Sequence, residues 1–405
     1  MQGIQRACSF LLLVVWVAGI AAHDAAGAPL PVQWPQALFT RPKTTAAPEA
    51  YKARGVASVF LEGPEYQGKA THIFAYYGLP ANTEQAPWPG MVLVHGGGGT
   101  AFAQWVRLWN RRGYAAIAMD TCGCLPGDEN GKRPRHEAGG PAGWGAFETA
   151  MEPVTEQWAY HAVSAVILAH SFLRSLPEVD PERIGLTGIS WGGYLTCLMA
   201  AADPRFQFAV PVYGCGFLGE NSAWSDNLKE LGEPGARWLA LWDPKHYLGE
   251  VRMPMLWVTG TNDFAYPMDS LQRSYRLPGS PHTLCLRLRM PHGHGGAGEN
   301  PEEIHAFADH FLRGGPALPR ITGQGREEDT VWVTYESPMP VAQAELLFTK
   351  DLGKWQDRQW EAVPASVDTA GRKASALLPP GAKVYYLNLT DAEGRVVSSE
   401  HEATR

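Results

Sequence analysis

Arg183-Ile184-Gly185-Leu186-Thr187-Gly188-Ile189-Ser190-Trp191-Gly192-Gly193-Tyr194-Leu195-Thr196-Cys197-Leu198 runs from an apolar stretch, through a serine flanked by glycines, into a second apolar stretch. The first stretch reads as a short buried strand and the last as a helix. Gly188, Gly192 and Gly193 let the backbone turn sharply without Cβ clashes. In a strand–turn–helix context, Gly-x-Ser-x-Gly is a nucleophile elbow, which lifts the serine hydroxyl off the end of a sheet. A hydroxyl alone is a weak nucleophile, so the reading requires a general base and an acid to orient it. A glycine-rich turn with an ordinary serine satisfies the same pattern, so the partners decide.

Partners follow in chain order. Met255–Thr259 reads as a strand, and Asp263 stands just past its end in Gly260-Thr261-Asn262-Asp263. Thr283–Arg289 reads as another strand and runs into Met290-Pro291-His292-Gly293-His294-Gly295-Gly296. The order Ser, acid, His, each at a strand end, is the order such a site needs. The Gly293-His294 ending points to His294 as the base. His292 is the alternative, and otherwise lines the pocket or braces the loop. A His-x-His pair also evokes zinc, but no Cys, His or carboxylate set at ligand spacing accompanies it, so neither metal nor cofactor is expected. Met91–His95 reads as a buried strand followed by Gly96-Gly97-Gly98-Gly99. His-Gly-Gly-Gly supplies backbone N–H groups to a developing oxyanion. The expected donors are Gly96 or Gly97 together with Trp191. Thr100-Ala101-Phe102 lacks the Lys-Ser/Thr of a phosphate-binding loop.

These residues resemble the α/β-hydrolase superfamily, and more narrowly the secreted acetyl xylan esterase and dienelactone-hydrolase-like group. The resemblance is carried by His95–Gly99, Gly188–Gly193, Gly260–Asp263 and Pro291–His294. It is carried too by Asp180-Pro181-Glu182-Arg183-Ile184-Gly185, which is also similar to the lead-in of the prolyl-oligopeptidase family. It covers roughly residues 50–315 and implies a mostly parallel sheet covered by helices on both faces. It is specific for fold and triad and weak for substrate, because one fold hosts many chemistries.

The rest of the chain accords with this reading. Its 405 residues are 45% hydrophobic and 19% charged, with a net charge of −7, which disfavours a nucleic-acid surface. Arg6, the apolar run Phe10–Ala22 and the small residues after it read as a secretory signal over 1–28, too short for a membrane span. A secreted or periplasmic protein without stable membrane insertion is therefore expected. Without the signal five cysteines remain, so at least one thiol stays unpaired. A bridge from Cys122 or Cys124 to Cys215 is open. Residues 29–50 read as an extended arm, 51–316 as the catalytic domain, and Glu156–Leu176 as a long amphipathic helix.

Two insertions, 121–155 and 213–247, leave strand C-terminal ends, where ligands bind in such sheets. Trp144, Trp224, Trp238 and Trp242 are placed there to wall a small acyl pocket, with His95, Trp144 and Trp224 as candidate substrate contacts. Short strands from Thr330 onward predict a small β-sandwich, immunoglobulin-like, over 317–405. It reads as a packing appendage, with a carbohydrate-contacting module as the other reading. The expected activity is a serine carboxylesterase for short acyl, chiefly acetyl, esters of carbohydrate, working through an acyl-enzyme. A prolyl-oligopeptidase-like peptidase, a dienelactone-type hydrolase and a non-enzymatic carbohydrate-binding protein are the alternatives. Oligomeric state is not legible.

Overall fold

A computed structural model describes residues 29–82, 86–127 and 133–404. Residues 1–28, where a secretory signal is expected, and with them Cys8, lie outside the described residues. Nine strands form the first sheet: β1 (Thr44–Ala46), β2 (Ala57–Tyr66), β3 (Lys69–Gly78), β4 (Trp88–Val94), β5 (Ala115–Met119), β6 (Val179–Ile189), β7 (Ala209–Val212), β8 (Met255–Gly260) and β9 (His282–Arg287). Their order is β1-β2-β3-β5-β4-β6-β7-β8-β9. Pairing from β5 to β9 is parallel, and β1, β2 and β3 join it antiparallel. Every residue of β4, β5, β7 and β8 is buried, as expected of a parallel sheet covered on both faces. The fold is that of an α/β-hydrolase.

The helices are α1 (Ala103–Arg111), α2 (Trp158–Arg174), α3 (Trp191–Ala202), α4 (Ser225–Glu230), α5 (Glu233–Trp242), α6 (Met268–Tyr275), α7 (Gly296–Glu299) and α8 (Glu302–Arg313). Helix α2 departs from expectation. It is buried from Trp158 to Leu173 rather than half-exposed. The segment before β1 covers its outer side: Trp34 Nε1 donates to Tyr160 O (3.3 Å) and Ser171 Oγ donates to Leu38 O (3.1 Å). The arm is thus a packed strap that also adds β1 to the sheet edge. Among the described residues no helix is long and apolar enough to cross a membrane. Cys122, Cys124, Cys197, Cys215 and Cys285 are all free thiols, so the bridge from Cys122 or Cys124 to Cys215 does not form. Asp120 instead holds the backbone N–H groups of Cys122 and Cys124 (2.9 and 2.8 Å).

The C-terminal strands are β10 (Arg320–Glu327), β11 (Thr330–Glu336), β12 (Val341–Thr349), β13 (Trp360–Asp368), β14 (Lys373–Leu377), β15 (Val384–Asp391), β16 (Val396–Ser398) and β17 (Glu402–Ala403). The expected sandwich is built as one antiparallel sheet curled on itself, in the order β10-β11-β14-β13-β12-β15-β16 with β17 on β15. Strand β13 turns the corner. Trp360–Ala365 pair with β12, while Ser366–Asp368 pair with β14. Val331, Val333, Leu346, Phe348, Leu387 and Leu389 fill the inside. Leu347, Trp360, Tyr386 and Val397 instead join the core of the larger domain.

The curled sheet closes an exposed edge. Strand β9 is the last of the parallel sheet, and an open edge presents unpaired backbone groups. Here Leu286 N–H donates to Ser398 Oγ (2.8 Å), and Leu286 O accepts from Asn388 Nδ2 (3.0 Å) and Tyr386 OH (3.2 Å). Ser398 Oγ in turn donates to Asn388 Oδ1 (2.6 Å). The packing role expected of this region is therefore present in detail.

Candidate active site

Ser190 stands between β6 and α3 with φ 59° and ψ −117°. A non-glycine residue with positive φ is strained. The elbow's strain thus falls on the serine itself, whereas Gly188, Gly192 and Gly193 serve close approach. A Cβ on Gly192 would lie 2.0 Å from Val94 O, one on Gly188 2.3 Å from Gly192 O, and one on Gly193 2.5 Å from Val212 O. Ser190 N–H donates to Val212 O (2.8 Å), which ties the turn to the neighbouring strand.

His292, not His294, meets the serine. His292 Nε2 lies 2.8 Å from Ser190 Oγ, and His292 Nδ1 lies 2.6 Å from Asp263 Oδ2. Asp263 is 4% exposed, and its other oxygen accepts from the N–H groups of Ala265 (2.9 Å) and Tyr266 (2.8 Å). The carboxylate is therefore fixed before it meets the imidazole. The His292 ring stacks on Tyr213 (centroids 4.6 Å apart) and packs against Phe264 (4.7 Å). Tyr213 follows β7 directly, has φ 49°, and donates its hydroxyl to Pro291 O (2.8 Å). It braces the base from both ring and loop. Sequence reasoning missed Tyr213, although its place at a strand's C-terminal end was a usable signal.

His294 does something else. Its Nε2 accepts the N–H of Gly96 (3.0 Å), and its Nδ1 faces Glu299 Oε1 (3.2 Å). A second His–carboxylate pair thus runs beside the first, ending on a backbone amide instead of a hydroxyl. Nothing in the sequence marked Glu299. The assignment of His294 as base is corrected on this geometry. The Gly96 donor is corrected with it, because that N–H already has an acceptor. The N–H of Gly97 makes no hydrogen bond among the described residues. Trp191 is the first residue of α3, where no carbonyl four residues back takes the amide. These two remain to meet an oxyanion.

His95 is also displaced from its expected place at the substrate. It is 1% exposed. Its Nδ1 reaches Gly96 O (2.8 Å), and its Nε2 accepts the Thr121 N–H (3.0 Å). Burial pushes its pKa down to about 3, so the ring is neutral and holds the glycine loop from beneath. Trp144 and Trp224 are half-buried beside the site. The Trp224 ring is 4.5 Å from that of Trp191, and Trp144 lies 3.9 Å from where a Gly97 Cβ would stand. Trp238 and Trp242 are core residues. Their indole N–H groups donate to Gly145 O (2.9 Å), joining the two insertions, and to Gln157 Oε1 (2.6 Å), just before α2. Among the described residues no group of three or more His, Cys, Asp or Glu is placed to hold a metal ion, and His292 and His294 face different partners.

This geometry can pass a proton from Ser190 Oγ to His292 as oxygen attacks an acyl carbon, with Asp263 stabilising the imidazolium. The family profile for acetyl xylan esterase (AXE1) matches residues 59–223, and that for the prolyl oligopeptidase family matches residues 145–314. In structure the chain is similar to an acetyl xylan esterase from Paenibacillus sp. R4, with 21% identity and a TM-score of 0.55, over 68% of this chain and 92% of that one. It is similar also to acetyl xylan esterase 1 from Thermoanaerobacterium sp. JW/SL YS485, with 16% identity and a TM-score of 0.51, over 67% and 88%. In sequence it is 24% identical over 48% of its length to an uncharacterized peptidase, YuxL, of Bacillus subtilis. The chain spans 29% of that relative and 46% of a second curated relative, from Methylorubrum extorquens. Family matches and fold together support a serine hydrolase.

Proposed function

We propose that the protein is a secreted serine carboxylesterase that removes short acyl groups, acetate above all, from carbohydrate. The observation that carries this reading is the line Ser190–His292–Asp263, with distances of 2.8 and 2.6 Å. Ser190 attacks the ester carbonyl, and His292 takes the proton and returns it to the departing alcohol. The N–H groups of Trp191 and Gly97 hold the oxyanion, and water then releases the acyl-enzyme. Trp191 and Trp144 lie beside Gly97 and Trp224 packs on Trp191, which supports an acyl pocket closed beyond a few carbons. A rigid aromatic wall rejects extra methylenes sterically. Secretion rests on the N-terminal segment and is tested by sequencing the N-terminus of exported protein.

The prolyl-oligopeptidase match favours a second reading, cleavage of peptide amides. One panel separates the two: 4-nitrophenyl esters from acetate to octanoate, acetylated xylan, and peptide 4-nitroanilides. The esterase reading expects kcat/KM to fall steeply between butyrate and octanoate, and expects every acetyl ester to outrun every amide. A faster amide moves the reading to peptidase. Ser190→Ala should lower turnover about 10⁶-fold while the protein stays folded. Retention of a tenth of the wild-type rate removes Ser190 from the role.

A further inference from the structure

The departing alcohol receives its proton from His292 Nε2, so the walls beyond that ring meet the leaving group. Phe264 follows Asp263 in the chain and lies against His292, yet it is 55% exposed. Phe264 also lines a cavity of ≈ 680 Å³, within the range of about 300–1,000 Å³ usual for small-molecule sites. Three stretches far apart in sequence wall it: Glu220–Asp226 of the second insertion, Phe264–Asp269 after the acid, and Leu352–Arg358 from the connection between β12 and β13.

We propose that this cavity is a leaving-group subsite for an uncharged, hydroxyl-rich alcohol, a carbohydrate unit, and that the C-terminal sheet supplies one of its walls. The inference rests on the esterase reading above and adds where the alcohol is recognised. The lining suits a sugar. Phe264 and Leu352, the last 73% exposed, offer apolar surface to C–H groups. Asn221, Ser225 and Gln356 offer donors and acceptors to hydroxyls. The lining charges are Glu220, Asp226 and Asp269 against Lys354 and Arg358, and Glu220 is neutralised from outside the lining by Arg273. Arg358 is stacked on Trp355 (3.7 Å) and donates to Gly353 O (2.9 Å), which turns it inward to its own loop. No surplus charge of either sign is left to select an ionic leaving group.

The wall is also held rigid against the catalytic acid. Asn262, the residue before Asp263, donates from Nδ2 towards the carbonyls of Trp355 (3.5 Å), Gln356 (3.0 Å) and Arg358 (2.7 Å). A preordered wall spares a ligand the ordering cost of a loose loop. Both family matches end by residue 314, so the Leu352–Arg358 wall lies outside the part of the chain those families share.

The test holds the acyl group constant and varies the alcohol. Leu352→Asp and Gln356→Ala are exposed changes that leave the triad untouched. On acetylated xylobiose, kcat/KM should fall about tenfold in Leu352→Asp and several-fold in Gln356→Ala. On ethyl acetate both should stay within twofold of wild type. Equal losses on both esters, or none on the sugar ester, overturn the subsite. Saturation-transfer NMR with xylobiose on the Ser190→Ala protein reads the subsite without turnover: transfer weakened by Leu352→Asp supports it, and no transfer at all overturns it. Failure to hydrolyse either ester while transfer persists defeats the esterase reading and leaves the subsite standing.

Discussion

Replacing each of the two loop histidines in turn separates their roles by several orders of magnitude. His292→Ala removes the group 2.8 Å from Ser190 Oγ and leaves Asp263 with no imidazole to orient. Loss of a triad base costs about 10⁶-fold in kcat. His294→Ala removes the acceptor of the Gly96 N–H at 3.0 Å and the partner of the Glu299 carboxylate at 3.2 Å, but nothing that touches Ser190. The His294 side chain is 24% exposed, so water can enter the vacated space. For the Gly96 contact, the one beside the reacting atoms, the cost then lies between a net hydrogen bond, about 0.5–1.5 kcal/mol, and the full penalty of an unmet donor, about 1–3 kcal/mol; the loss at Glu299 falls on folding and is read in the melts. Even if the upper figure passed wholly to the transition state, kcat would fall only about 150-fold. His294→Gln, which restores an acceptor, should recover part of that loss. The assay is steady-state hydrolysis of 4-nitrophenyl acetate, with thermal melts to confirm folding. If His294→Ala falls as far as His292→Ala, or His292→Ala keeps a tenth of the activity, the geometry has been misread.

A Cβ on Gly97 would stand 2.8 Å from Trp191 Cδ1, so Gly97→Ala should shift the proposed oxyanion donors and lower kcat about 10²-fold, with KM and the melting temperature little changed; full activity would remove Gly97 from the role. Asn388→Ala strips Leu286 O of a donor and Ser398 of an acceptor in a buried site and should destabilise by about 1–3 kcal/mol, read from urea unfolding; an unchanged midpoint would show that this edge contact contributes nothing. Acid should unfold the protein early. Burial pushes His95 and His305 down to about 3 and His170 and His401 down to about 4, so below pH 6.5 the unfolded chain binds protons that the native state refuses, and stability falls with pH at up to about 1.4 kcal/mol per unit for each group. Burial pushes Asp120 up to about 6 and raises Asp243 as well, and these oppose the trend, but burial also lowers His136, His161 and His246, so the histidines outnumber them; the melting temperature should drop steadily from pH 7 to 4.5, and a flat or rising profile would contradict the reasoning.

The sequence alone determined the elbow, the strand ends that carry the acid and the histidine loop, and their chain order, although its local Gly-His pattern pointed to the wrong histidine. A serine between glycines, an apolar run before it and a helix after it admit little besides an elbow. An aspartate and a histidine loop, each after its own strand, follow because parallel strands bring their C-terminal ends to one face. A net charge of −7 disfavours a nucleic-acid surface by the same kind of reasoning. What it left open turns on contacts across the fold. His292 and His294 are two residues apart on a glycine loop. The choice between them was made by Asp263, 29 residues before His292, and by Tyr213, on another strand end, with Glu299 and Gly96 claiming the second ring. The side placement of tryptophans was equally hidden. Trp238 and Trp242 sit at helical spacing in α5 and became core because Gly145 and Gln157 come to meet their indoles, whereas Trp224 stayed at the site. The partner of Leu286 lies about a hundred residues away, in Asn388. Periodicity records which face of an element is apolar. It does not record which distant side chain will arrive to satisfy a given donor, and in this protein that arrival separates the base from its neighbour.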